Sequence, residues 1–211
     1  MEELAELVGV IIGDGNICYI SKIRKYYVEI TGNPKSEEEY YKYLSLLFLS
    51  VVGKSGTIAF RGRGLRIRVY SKNFVEFLIN NLGMHYGMYK SYNIEIPKII
   101  IKSSRKINYL CLRGIFDTDG SFFVSMKDGK SYPSIEIVTC SEILANQIYY
   151  ILKTGCFRVN LRFRNDQNYT FKRAYVVSLY GFEQVKRWFN VIGSSNSAKY
   201  KKYESFIKNF K

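Results

Sequence analysis

The sequence predicts an α+β protein built from two copies of one αββαββα unit, each copy with a four-stranded antiparallel sheet. Two observations predict this fold. A glycine-containing segment recurs after 105 residues, from residue 7 to residue 112, and the same order of helical and alternating patterns follows each copy. Helices on one side of each sheet would leave its other face open.

The repeated segment is Leu-Val-Gly-Val-Ile-Ile-Gly-Asp-Gly at 7–15 and Leu-Arg-Gly-Ile-Phe-Asp-Thr-Asp-Gly at 112–120. The leucine, the first glycine, the aspartate at the eighth position and the final glycine coincide in the two copies. We therefore interpret the chain as a duplication.

Periodicity and turn residues predict the elements of the first unit. Its helices are expected at 2–14, 36–52 and 72–82, and its strands at 16–22, 26–32, 56–61 and 65–71. Ser36 is the expected N-cap of the middle helix, with Glu37, Glu38 and Glu39 in its first turn. Gly83 ends the third helix.

The second unit repeats this order. Its helices are expected at 104–118, 141–153 and 181–192, and its strands at 121–127, 133–140, 156–165 and 170–180. A last helix, at about 197–209, has no counterpart in the first unit. We place the halves at 1–93 and 104–211 and the linker proper at 94–103, where Ile96-Pro97 marks an extended stretch.

The net charge points to a polyanionic partner. It is +14 for 211 residues, and both halves are basic, with 15 basic and 10 acidic residues up to position 105 and 17 and 8 after it. Nucleic acid is the first candidate for so basic a globular chain. The alternative is a surface charged only for solubility.

The numbers and spacing of cysteine and histidine argue against several classes of protein. The four cysteines are not in CxxC spacing, and no signal peptide precedes them, so we expect a reduced, intracellular protein in a prokaryotic cytoplasm or an organelle matrix. His85 is the only histidine, which argues against zinc clusters and histidine-dependent nucleases. No apolar run approaches the roughly 20 residues of a membrane span.

The repeated segments predict two closely packed helices. Gly9 and Gly13 lie on one helical face, and Gly114 and Thr118 occupy the same positions in the second copy. Glycine inside a helix costs about 1 kcal/mol relative to alanine, so its recurrence indicates close contact between the helices.

Parallel packing would bring Asp14 and Asp119 together at one end of the helix pair. Gly15 and Gly120, which follow them, suit the left-handed position that ends a helix. Like charges at negative helix ends repel each other, and a divalent cation would resolve the conflict. Oxygen ligands, including the freed carbonyls of Gly13 and Thr118, suit Mg²⁺, and two-metal phosphodiester hydrolysis follows naturally.

The two segments resemble the motifs of the LAGLIDADG homing endonucleases, and the repeat and strand order extend the resemblance over nearly the whole chain. It implies a monomer of the two-motif, pseudo-dimeric type, whose two sheets form a DNA-binding saddle around the central helix pair. Asp14 and Asp119 would be catalytic metal ligands for Mg²⁺, with Mn²⁺ substituting and Ca²⁺ binding without cleavage. The alternative is a duplicated packing module whose aspartates are only helix caps.

The resemblance also implies lysines near the scissile phosphates. Lys35 fits the usual place after the second strand, whereas the equivalent stretch of the second copy has none. Lys127 or Lys130 could serve there, or could be phosphate contacts or solvated. Asp117 stands where the first copy has Ile12, so it is a packing or hydrogen-bonding residue as readily as a ligand.

Alternation in the later strands predicts open faces that carry arginine rather than mixed charge. Arginine suits guanine and asparagine suits adenine. Cys18 and Cys140 lie near this face or are simply small strand residues. The candidates for DNA contact are Lys22, Arg61, Arg63, Arg66, Arg68, Tyr70, Lys127, Lys130, Arg158, Asn160, Arg162, Arg164, Lys172 and Arg173.

The predicted function is Mg²⁺-dependent cleavage of both strands of an asymmetric duplex site of about 18–20 base pairs, from two sheets with strands of roughly 30 Å. The resemblance implies short 3′ overhangs, cutting across a minor groove, and a gene in an intron or similar mobile element. One alternative is an RNA-binding group I intron maturase of the same fold, for which intron RNA would be a partner. Another is a non-catalytic DNA-binding regulator. An intein-embedded form is disfavoured, because no splicing domain flanks the unit.

Overall fold

The computed structural model describes residues 1–34, 36–62, 64–87, 90–164 and 174–209. The first half has the predicted element order. Its elements are α1 (Glu2–Gly13), β1 (Gly15–Ile20), β2 (Lys25–Gly32), α2 (Glu38–Val52), β3 (Thr57–Arg61), β4 (Gly64–Tyr70) and α3 (Lys72–Asn80), with a 3-10 turn at Ser21–Ile23 between β1 and β2.

Two short helices connect the halves, α4 (Lys90–Asn93) and α5 (Lys98–Ile101). The extended stretch between them is held to the second half. The amide of Ile96 donates to Gln147 Oε1 at 2.7 Å, and Gln147 Nε2 donates to the Ile96 carbonyl at 3.2 Å. The connection is therefore anchored rather than loosely tethered.

The second half repeats the order and adds one helix. Its elements are α6 (Arg105–Asp119), β5 (Gly120–Lys127), β6 (Lys130–Thr139), α7 (Glu142–Thr154), β7 (Val159–Arg164), β8 (Ala174–Tyr180), α8 (Phe182–Val191) and α9 (Ser197–Asn209). The predicted α+β duplication is confirmed. No helix in the described ranges is both long and apolar enough to cross a membrane.

The two sheets have the same antiparallel topology. Their strand orders are β1-β2-β4-β3 and β5-β6-β8-β7. The register is also shared: Gly15 lies opposite Ile30 in one sheet, and Gly120 lies opposite Ile137 in the other. The duplication thus extends from the sequence to individual backbone pairs.

Close packing of α1 and α6 is confirmed. A Cβ added at Gly9 would clash with the Cys111 carbonyl, and one added at Gly114 would lie 2.7 Å from the Val10 nitrogen. A Cβ at Gly13 would meet the Thr118 side chain, with its Cβ at 2.8 Å. Because the contacts advance in the same direction along both helices, α1 and α6 run parallel.

Two local predictions were wrong. Gly15 and Gly120 are not left-handed: Gly120 has φ −80°, and neither has a positive φ. Both positions require glycine because a Cβ would clash with the preceding helical turn. It would lie 2.6 Å from the Ile11 carbonyl oxygen at Gly15 and 2.6 Å from the Phe116 carbonyl oxygen at Gly120. Ser36 is not the N-cap of α2; Glu37 takes that position without a side-chain cap bond.

The strand before Arg164 also starts later than predicted. Cys156 has φ +61°, a turn conformation, and Phe157 packs in the core at 3% exposure. The strand therefore begins at Val159, and Arg158 precedes it.

Candidate metal centre and nucleic-acid surface

Asp14 and Asp119 lie at the same end of the paired helices. Asp14 is the C-cap of α1, Asp119 is the last residue of α6, and both are exposed. The Asp119 carboxyl carbon lies 3.4 Å from where a Cβ on Gly13 would stand, and Gly13 directly precedes Asp14. The missing side chain at Gly13 therefore gives the Asp119 carboxyl group room beside the end of α1.

A lysine that the sequence analysis did not single out closes the end of α6. Lys199 Nζ donates to the carbonyls of Phe116 at 2.6 Å, Gly120 at 2.6 Å and Thr118 at 3.1 Å. The Thr118 carbonyl is therefore not free in the way the metal-ligand prediction assumed. Desolvation lowers the pKa of Lys199, whereas Asp117 and other nearby carboxylates act to raise it.

Behind the exposed aspartates lies a buried polar network that joins the two halves. Glu6 is 3% exposed, and its Oε2 accepts from Arg113 at 2.6 Å. Its Oε1 accepts from Tyr43 Oη at 2.8 Å and from Ser195 Oγ at 2.6 Å. The network ties α1 to α6, α2 and the loop before α9, which restricts movement of the helix ends.

Asp117 belongs to this network and not to the exposed pair. It is fully buried, and it accepts from Ser194 Oγ at 2.5 Å and from the Ser195 amide at 2.8 Å. Burial raises the pKa of its carboxyl to about 7, against the opposing effect of these hydrogen bonds. Of the two roles left open for Asp117, the structure supports the hydrogen-bonding one.

The loop before α9 also reaches α2. Asn196 Nδ2 donates to Glu37 Oε1 at 3.0 Å and to the Asp117 carbonyl at 3.1 Å, while Glu37 Oε2 accepts from the Asn33 amide at 2.7 Å. Glu37 thus stabilises the segment after β2. Lys35 lies in that segment, but it falls outside the described residues.

The donor set fits an open divalent-cation site. Within the described ranges, no group of three or more His, Cys, Asp or Glu side chains could hold a metal ion. Mg²⁺ binds readily through one or two carboxylates when substrate phosphates and water complete its octahedron. Two exposed carboxylates at adjoining helix ends provide such an incomplete set, so the residues present fit a cation whose remaining positions are filled by other oxygen ligands.

An acidic residue, Glu29, lies on the open face of the first sheet, contrary to the prediction of arginine without mixed charge. Glu29 Oε2 accepts from Arg68 Nε at 2.7 Å and pairs with Arg66 at 3.2 Å. The Arg68 guanidinium lies 4.3 Å from the ring centre of Tyr27 and donates to Tyr70 Oη at 2.9 Å. Both arginines are therefore held in place within the sheet.

The second sheet repeats the arrangement. Glu136 lies opposite Ser121 as Glu29 lies opposite Asn16, so the two glutamates are equivalent in register. Glu136 Oε1 accepts from Arg162 at 2.9 Å and from Tyr180 Oη at 3.2 Å. Each open face thus carries a Glu–Arg–Tyr cluster, which period-2 alternation around Glu29 and Glu136 could have revealed.

The other residues predicted to contact DNA are distributed over both halves. Lys127 and Lys130 face each other at the β5–β6 hairpin, and Lys22 is exposed in the 3-10 turn. Exposed residues at or beside β7 are Arg158, Asn160, Arg162 and Arg164. The structure describes the backbone but not the side chain of Arg61, and Arg63, Lys172 and Arg173 lie outside the described residues.

Comparison with known proteins identifies the fold. Residues 107–193 match the family model of the LAGLIDADG-like domain. The homing endonuclease I-DmoI in complex with DNA and Ca superimposes with a TM-score of 0.63 and 18% identity, over 92% of this chain and 90% of that one. This chain has the two-motif LAGLIDADG fold. The homing endonuclease I-WcaI bound to its DNA recognition sequence is also similar, with a TM-score of 0.62 and 14% identity over 94% and 85% of the chains.

The curated relatives that this chain matches are much longer than the chain itself. The replication factor C small subunit of Methanocaldococcus jannaschii is 29% identical over 207 residues, which are 98% of this chain but 10% of that protein. The DNA polymerase of Thermococcus sp. (strain GE8) is 28% identical over 150 residues, 71% of this chain and 8% of that protein. The chain thus spans about a tenth of these relatives, and each similarity is confined to one segment of a longer protein.

Proposed function

We propose that this chain is a sequence-specific endonuclease that hydrolyses both strands of a long, asymmetric duplex DNA site with a divalent cation. The observation that carries the proposal is the position of Asp14 and Asp119 at one end of two parallel helices packed without intervening side chains. The two open sheet faces, with the arginines and lysines they carry, are the proposed DNA-binding surface.

The divalent cation would neutralise charge on the scissile phosphate and lower the pKa of its bound water. We propose Mg²⁺, with Mn²⁺ able to replace it and Ca²⁺ binding without cleavage. I-DmoI has been solved in complex with DNA and Ca, and with its target DNA in the presence of Mn or Mg, which supports a cation of this class. Asp14 and Asp119 would hold it, together with the carbonyl of Gly13. The Thr118 carbonyl accepts from Lys199 at 3.1 Å and would have only its second lone pair to offer the cation.

The remaining residues of the site orient these ligands. The Glu6–Arg113 ion pair and the hydrogen bonds of Asp117 fix the two helix ends from behind. Fixed ligands favour catalysis because no free energy is then spent on arranging them during the reaction. Lys35 stays our proposal for the residue that polarises the attacking water or stabilises charge in the first half.

The DNA site follows from the two sheets. Because the halves differ in sequence, the site should be asymmetric, and one chain with both motifs should act as a monomer. If about 8 lysine and arginine side chains contact phosphates, the logarithm of the binding constant should fall linearly with the logarithm of the salt concentration, with a slope near −7. A footprint shorter than about a dozen base pairs would contradict the proposed span of about 18–20 base pairs.

The decisive experiment is cleavage of a randomised duplex library in Mg²⁺, with sequencing of the cut ends. Asp14→Asn and Asp119→Asn remove one proposed ligand each. Glu3→Gln, at the opposite end of α1, makes the same charge change as a matched control. We expect one long asymmetric site, cut by the parent and by the control but by neither aspartate variant.

Two outcomes would overturn the proposal. One is cleavage retained by both aspartate variants, which would place the chemistry elsewhere. The other is binding to structured RNA without DNA cleavage in either Mg²⁺ or Mn²⁺, which would favour the maturase function.

A further inference from the structure

The side chain of Lys199 reaches the centre of the site from α9, the helix that has no counterpart in the first half. Its Nζ donates to three carbonyl groups at the end of α6, and an ammonium group has three protons to donate. The same nitrogen lies 5.1 Å from the ring centre of Phe116. Its position is therefore fixed from several sides.

Four carboxylates act electrostatically to raise the pKa of Lys199; in decreasing order of effect they are Asp117, Glu37, Asp14 and Asp119. The negative end of the α6 dipole adds to them, since the three carbonyls belong to the last turn of the helix and the residue after it. Lys199 is half-buried, and its Nζ bonds to the carbonyls on both sides of Asp119, those of Thr118 and Gly120, so its charge lies beside the end of α6 from which Asp119 projects.

We propose that Lys199 is the internal counter-ion of the Asp14–Asp119 pair. Its charge offsets the repulsion between the two carboxylates in the free protein. Its bonds to the Phe116, Thr118 and Gly120 carbonyls fix the backbone around Asp119 and thereby the direction of the Asp119 side chain. Lys199 is thus a positioning residue for the metal centre. The counter-ion role is independent of cleavage, whereas its effect on catalysis rests on the proposed function.

The test is a thermal-unfolding cycle in a chelating buffer. Lys199→Met should lower Tm by about 10 °C, because it removes a half-buried cation and its hydrogen bonds to three carbonyls at the end of α6. The matched control is Lys202→Met, an exposed lysine one turn further along α9, which should change Tm little. Lys199→Arg, which keeps the charge, should recover part of the loss.

Coupling to the aspartates separates a counter-ion from a packing residue. Adding Asp119→Asn or Asp14→Asn to Lys199→Met should raise Tm, whereas the same substitutions in the parent should leave it unchanged or lower it. Equal effects in both backgrounds would overturn the proposal. If Lys199→Met does not fold, its combination with both aspartate changes should fold, and failure of that variant would overturn the proposal as well.

A Ca²⁺ titration gives a second measurement that needs no cleavage. Ca²⁺ should raise the Tm of Lys199→Met more than that of the parent, because the added cation replaces the missing charge. A larger Ca²⁺ effect on the parent would contradict the proposal. If the parent cuts no DNA, the proposed function fails, but the unfolding cycle still decides the role of Lys199.

Discussion

Gly9 of α1 lies directly against the main-chain carbonyl of Cys111 in α6. The reciprocal contact is made by Gly114, whose missing side chain leaves room for the carbonyl of Glu6. Each helix thus presents a glycine to the backbone of the other. This double contact sets the separation of the two helices and, through it, the separation of Asp14 and Asp119.

Alanine at either glycine should therefore be costly. We expect Gly9→Ala and Gly114→Ala each to lower the free energy of unfolding by about 3 kcal/mol or more, because the obstacle is a main chain that must move as a whole. Gly129→Ala is the matched control: it has φ +73° and open space around it, so it should cost only about 1 kcal/mol. Denaturant unfolding measures all three, and equal losses would contradict the close-contact explanation.

The raised pKa of Asp117 predicts a pH-dependent stability. Its folded-state pKa of about 7 exceeds the ordinary 3.8, so the folded protein binds the proton more tightly than the unfolded chain. The contribution of Asp117 to the free energy of unfolding is therefore greatest below about pH 4. On the order of 4 kcal/mol of this contribution is lost as the pH rises to about 7.

Asp117→Asn should remove that contribution. Unfolding free energies measured from pH 4 to 8 in a chelating buffer should show a difference between parent and variant that changes across this window. Above about pH 7 the difference should be constant. Parallel profiles throughout the range would show that Asp117 is already ionised at pH 4.

Glu29→Gln should change how the first sheet binds DNA. The substitution removes the charge that Arg66 and Arg68 share, so both arginines become more available to phosphates. We expect tighter binding at low salt and a log-log salt slope more negative by about 1. Glu76→Gln, which removes a carboxylate from the ion pair with Lys72 on α3, is the control and should leave the slope unchanged.

Thiol reactivity should report the core and the open face separately. Cys111 is fully buried, and burial raises its pKa far above the usual value, so it should react with a thiol reagent only on unfolding. Cys156 is exposed and should react at once. Cys18 lies opposite Tyr27 in register, and the Tyr27 ring contacts Arg68 on the open face of the first sheet. Duplex DNA bound to that face should therefore slow the labelling of Cys18. Unchanged labelling of Cys18 would place the DNA elsewhere.

Periodicity and repetition predicted most of the architecture. The αββαββα order follows from alternation and helical spacing, and the helix pair follows from glycines four residues apart. The predicted cap at Ser36 was wrong because Glu37 is held by Asn33 and Asn196, the latter 159 residues away in sequence. The left-handed glycines were wrong because Gly15 and Gly120 pack against the preceding turn, which no pattern of residue types reveals.

The candidate site was only partly predictable. Asp14 and Asp119 stand in the repeat, so comparison of the two copies finds them. Lys199 stands in a helix outside the repeat, and nothing in its local sequence distinguishes it from Lys201 or Lys202. Its contacts to Phe116, 83 residues away, exist only in the folded chain.

The loop between α8 and α9 has a consequence for synthesis on the ribosome. Ser195 donates a hydrogen bond to Glu6, which lies near the start of the chain. A residue synthesised early therefore bonds to one synthesised 189 residues later. Until that loop emerges, Asp117 lacks the Ser194 hydroxyl and the Ser195 amide that bond to it when it is buried, and Glu6 lacks the Ser195 hydroxyl. A nascent chain that stops before residue 194 should therefore be open to proteolysis, and the site should become complete only late in translation.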